Sequence, residues 1–162
     1  MMRSPKLFAV VALLTASSPA VADIRPSPLG DIYASYNDCF KVMTKDGVRP
    51  EVLGTLGWSP ASPSASGKPR KDGPALFAHP QRAPVIMLSS NPGEGICIVM
   101  ARLERVAAFE EFKSAWGGQL PKPNRDGVIF FQAEGHPIRL QQTGSRQEPS
   151  LTIAVMPPSE NK

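Results

Sequence analysis

Two cysteines and two histidines are all that this 162-residue chain offers among the usual soft metal ligands. No Cys-x-x-Cys spacing joins them, which excludes a zinc ribbon and a thioredoxin-type redox motif. His79 and His136 are each followed by proline in turn-like sequence. With Met87 or Met100 they make an imidazole and thioether set of the kind that suits copper. No ligand spacing supports it, and Met43, Met87, Met100 and Met156 sit in apolar patterns where methionine ordinarily fills gaps. The expectation is core methionines, surface histidines, no metal and no cofactor.

Long hydrophobic runs are also missing. Leu7–Ala16 is about half the roughly 20 apolar residues that a membrane-spanning helix needs. It follows Arg3 and Lys6 and precedes Pro19-Ala20-Val21-Ala22, the order of a cleavable signal peptide over residues 1–22. Cleavage after Ala22 makes Asp23 the first residue, with no cysteine there to accept a lipid. The expected location is therefore periplasmic or secreted, with no stable membrane insertion after cleavage.

Charge of one sign is in short supply too. The formal charge of +4 loses Arg3 and Lys6 with the signal, leaving a mature charge near +2. Basic and aromatic residues are not interleaved on any segment, as a nucleic-acid surface would want them, and no nucleic-acid partner is expected.

Assembled chemistry is the last absence. Ser89-Ser90 and His136 are a conceivable nucleophile and base, but no Gly-x-Ser-x-Gly elbow frames them. Glu110 and Glu111 are neighbours on a predicted helix and so splay about 100° apart; Glu94, Asp126 and Glu134 fall in turns. Asn91–Gly95 has the glycines of a phosphate-binding loop, yet it leads into a strand pattern and lacks the helix N-terminus that the mechanism requires. No catalytic residue is assigned.

What is present centres on Ile96–Trp116. Ile96, Ile98 and Met100 alternate with Cys97, Val99 and Ala101, a strand apolar on both faces and therefore predicted to be central. An amphipathic helix pattern follows, with Val106, Phe109, Phe112 and Trp116 on one face and Gly117-Gly118 as its stop. Cys97 on that strand and Cys39 form an even pair, predicted to be one disulfide in an oxidising compartment. Cys39 lies on the apolar stripe Leu29, Ile32, Tyr33, Tyr36, Cys39, Phe40, Met43 of an earlier helix. Ser27-Pro28 reads as its cap and first turn, and Asp46-Gly47 with Pro50 as its end.

Between these anchors, Val52–Trp58 reads as a short strand weakened by Gly54 and Gly57. Residues 59–74 read as a mobile Pro/Ser-rich loop carrying Lys68, Arg70 and Lys71. Ala75–Ala78, flanked by prolines, reads as an edge strand at best, and Val85–Leu88 pairs with Ile96–Leu103 across a turn. Val128–Ala133, Ile138–Gln142 and Leu151–Met156 follow at close spacing as an antiparallel meander.

The predicted fold is α+β: two helices packed on an antiparallel sheet, in the order helix, strands, helix, three-strand meander, with one disulfide. Residues 23–156 make a single domain and residues 157–162 a tail. An exported, disulfide-tied domain with a long polar loop points to a non-enzymatic binding, inhibitor or accessory protein with a macromolecular partner in the envelope. The alternatives are a small envelope hydrolase using His136, or a lipid or small-ligand carrier. Trp58, Lys68, Arg70 and Lys71 are the candidate partner contacts, although the favoured place for Trp58 is the core.

Overall fold

The computed structural model describes residues 24–61, 74–89 and 95–158. Helix α1, Leu29–Val42, buries Ile32, Tyr36 and Cys39 of the predicted stripe, and Val42 besides. A tight hairpin of β1 (Met43–Thr44) and β2 (Gly47–Val48) follows, then the short helix α2, Pro50–Thr55. Seven further strands form one antiparallel sheet: β3 (Ser59–Ala61), β4 (Ala75–His79), β5 (Arg82–Leu88), β6 (Cys97–Arg102), β7 (Val128–Ala133), β8 (His136–Gly144) and β9 (Pro149–Val155). Helix α3, Ala108–Ser114, crosses between β6 and β7. The sheet order is β3-β4-β5-β6-β9-β8-β7, so β6 lies fourth of seven, at the centre as its sequence predicts.

Register shows why the fold closes. Phe77, Ile86, Val99, Ile153, Leu140 and Ile129 are successive cross-strand partners, and all are buried. That row and the Leu88–Cys97–Val155–Ile138 row beside it face α1 and α3. The Cys39–Cys97 disulfide, with Cα atoms 5.6 Å apart, pins α1 to the central strand. Tyr33 ties α1 to α3: its ring stacks on Phe112 at 4.7 Å, and its hydroxyl donates to the Phe112 carbonyl at 2.7 Å.

Several expectations are corrected. Residues 52–58 do not form a strand, because Pro50 begins α2 at the first-turn position where a missing N–H costs nothing. Pro50 therefore opens a helix and does not close α1, which ends at Val42 where the hairpin starts. Ser59–Ala61, assigned to the predicted loop, belongs to the sheet; residues 62–73, with Lys68, Arg70 and Lys71, lie outside the described residues, as does the predicted signal at 1–22. Strand β4 is internal, between β3 and β5, because Pro74 and Pro80 flank its ladder without entering it.

Helix α3 starts after Val106, which is 46 % exposed and off the apolar face. The Ser27 hydroxyl does not cap α1; its backbone N–H donates to the Arg102 carbonyl at 2.8 Å beside a parallel bridge from Pro26 to Arg102. No helix among the described residues is long and apolar enough to cross a membrane.

Candidate functional site: the open face of the sheet

Helices α1 and α3 cover the same face of the sheet, and the strand residues of opposite parity point away from them. Their register gives two rows. One runs Leu76, Met87, Ile98, Ala154, Arg139, Phe130; the other runs Ala78, Val85, Met100, Thr152, Gln141. Leu76, Val85, Met87, Ile98 and Met100 are half-buried against one another, and Phe130 is 53 % exposed. Met87 and Met100 are thus not core methionines. Alternation that is apolar on both sides marks a central strand, but it does not provide a second layer to cover the outer side.

A hollow of about 460 Å³ opens at one end of this face, lined by Ile24, Met100, Arg102, Ser150 and Thr152 among others. Two charged side chains rise from strand positions of the face, Arg102 and Arg139. Arg102 meets Glu148 of the β8–β9 turn at 3.6 Å, while Arg139 donates to the Gln141 side-chain carbonyl at 2.7 Å. No strand position of that face carries a carboxylate among the described residues. The arrangement is an apolar floor with positive charge, suited to an apolar segment that brings carboxylates.

Of the residues singled out by sequence, Trp58 and His136 lie off this face. Trp58 is 2 % exposed, so it fills the core and offers no anchor. Its indole N–H donates to Asp38 Oδ2 at 3.0 Å, the same oxygen that Arg82 reaches at 2.6 Å, while Lys41 takes Oδ1 at 3.0 Å. His79 packs edge-on against the Trp58 ring at 5.3 Å. Burial opposes ionisation of Asp38, but the hydrogen bonds from Trp58, Lys41 and Arg82 outweigh it and hold the carboxyl below its ordinary range. This buried carboxylate with three donors is a fastener joining α1, the α2–β3 connection and β5. Sequence reasoning missed it.

His136 is buried and begins β8, correcting its assignment to a surface turn. Its Nδ1 lies 2.8 Å from the Met156 carbonyl, which can only accept, so Nδ1 carries the proton. Phe40 packs edge-on against the ring at 5.4 Å. Ser89 follows the last residue of β5, three strands from β8 in the sheet, roughly 14 Å at the usual strand spacing. The two are too far apart for proton transfer, and Ser89 Oγ instead accepts the Ile96 N–H at 2.9 Å.

Nearby, burial and the charge of Glu134 push the Tyr36 phenol well above its ordinary range. Glu110 and Glu111 pair separately, with Lys113 at 2.8 Å and Arg105 at 2.7 Å. Among the described residues, no three of His, Cys, Asp and Glu gather in a metal-holding group. A second hollow, about 520 Å³, lies between α3 and the β8–β9 turn, with Phe109 and Ile129 at its base.

No protein-family model matches the sequence, no curated protein matches it, and no solved structure matches it.

Proposed function

We propose that the chain is an exported periplasmic protein whose activity is binding: it holds a protein partner of the envelope on the open face of its sheet, as an inhibitor or accessory subunit. The observation that carries this reading is the half-buried apolar row Leu76, Met87, Ile98, with Val85 and Met100 beside it, on the side of the sheet away from α1 and α3. With the exposed Phe130 at the end of the row, this side of the sheet offers contiguous apolar surface of the kind that marks a contact site. The partner is a protein segment whose apolar stripe carries a carboxylate, to match the exposed guanidinium of Arg139 beside that row. The aliphatic and thioether side chains adapt their shape to such a segment.

The test is site-specific photo-crosslinking in envelope extract. A crosslinker at Met100 gives one discrete adduct that excess unlabelled protein competes away, and a crosslinker at Lys45, exposed on the β1–β2 turn, gives none. The same adducts from both positions, or none from Met100, refute the reading.

A further inference from the structure

The two ends of the sheet differ in how they finish. Strand β3 has three residues, one of them Pro60. Strand β7, at the other end, reads Val-Ile-Phe-Phe-Gln-Ala, with no charge, no proline and no break in its register against β8. Folded proteins ordinarily blunt an edge with a lysine, a proline or a bulge, because an unpaired ladder recruits another strand.

The direction of each backbone group in β7 follows from the hairpin. Ala133 pairs with His136 across the two-residue turn Glu134-Gly135, whose φ values of 51° and 81° are those of a type I′ turn. Ala133 and His136 therefore exchange hydrogen bonds, and so do Phe131 with Ile138 and Ile129 with Leu140. Val128, Phe130 and Gln132 turn their N–H and C=O groups outward. Two details fix this phase. Pro137, opposite Gln132, has no N–H, and its carbonyl accepts from Met156 on the far side. Val128 has its outward N–H on Asn124 Oδ1 at 2.9 Å, and its outward carbonyl takes the Asn124 N–H at 2.8 Å.

Phe130 and Gln132 have no such partner from the described residues. Both are exposed. Their donors and acceptors are self-complementary about a two-fold axis at Phe131: Phe130 of one copy meets Gln132 of the other, twice, and every outward group of the pair is satisfied. Phe131 then faces its own symmetry mate as a close non-hydrogen-bonded pair. Its ring already packs on Trp116 at 5.6 Å, so the aromatic cluster beneath the sheet continues across the axis. The exposed Phe130 rings gain cover on the other face.

We infer that β7 is a homodimer interface, in which two copies join their sheets by antiparallel β7–β7 pairing through Phe130 and Gln132. The axis stands perpendicular to the sheet, so the two open faces lie side by side. This inference is independent of the partner proposed above, since it needs only the strand edge.

Sedimentation equilibrium of the purified, disulfide-bonded protein from micromolar to millimolar concentration tests it, together with hydrogen exchange. The wild type shows a reversible dimer, and the Phe130 and Gln132 amides gain protection as the dimer forms. Gln132→Pro removes a donor that the monomer does not use, and Phe130→Lys places like charges at the interface. Each weakens dimerisation about tenfold or more while the unfolding curve at low concentration stays in place. A monomer at every concentration, a dimer that neither substitution weakens, or protection of those amides by an envelope protein in place of a second copy overturns the inference.

Discussion

The Trp58 indole N–H donates to Asp38 Oδ2 at 3.0 Å inside the core, and Arg82 meets the same oxygen at 2.6 Å. One carboxylate thus ties its own helix to two segments that lie 20 and 44 residues further along the chain. Trp58→Phe keeps most of the ring and removes the donor. It should cost about 1–3 kcal/mol of unfolding free energy, the range for leaving a buried charged acceptor short of a bond, measured as a lowered urea midpoint with unchanged slope. Asp38→Ala should cost more, about 3–5 kcal/mol, because Arg82 is left without its partner.

Acid should reveal the same group. Asp38 is held below its ordinary range in the folded protein, so folding is favoured by its ionised form. Its contribution is complete above the unfolded carboxyl range, near pH 4, and is lost as pH falls through the lowered native value. Urea midpoints measured from pH 7 downward should fall more steeply for wild type than for Asp38→Asn, with the two curves approaching each other at the acid end. Parallel curves would contradict the assignment.

The disulfide should account for a large share of stability. Cys39 and Cys97 are 58 residues apart, and closing such a loop is worth roughly 4 kcal/mol in the chain-entropy model. Cys39→Ser/Cys97→Ser, or reduction of the wild type under native conditions, should lower the thermal midpoint by many degrees. An unchanged midpoint would show that α1 is held by its packing alone.

Arg139→Glu reverses the charge on the open face at an exposed position. Stability should stay within about 0.5 kcal/mol of wild type, while the adduct formed from Met100 in envelope extract disappears. Loss of the adduct through unfolding would be visible at once in the thermal melt.

Sequence pattern carries the layers of this fold well and its fastenings poorly. The stripe from Leu29 to Met43 yields α1, and the alternation around Cys97 yields a central strand, because each periodicity is local. Pro50 was ambiguous for a physical reason: proline suits both the residue after a helix and the first residue of the next one. His136-Pro137 read as turn, although Glu134 and Gly135 alone supply the positive φ values that the reversal needs. The Asp38, Trp58 and Arg82 group left no signal, since nothing in the spacing of three distant residues announces that they meet. The open face was half legible: its side chains are visible in the alternation, but on which side of the sheet α1 and α3 pack is not.

The bare rim at β7 and the short, proline-bearing one at β3 set a limit on growth. A molecule able to add a strand at both borders would stack without end into fibres. With a single receptive border that is its own complement, association uses up that border in the first step, and the product is a closed pair with nothing left to extend.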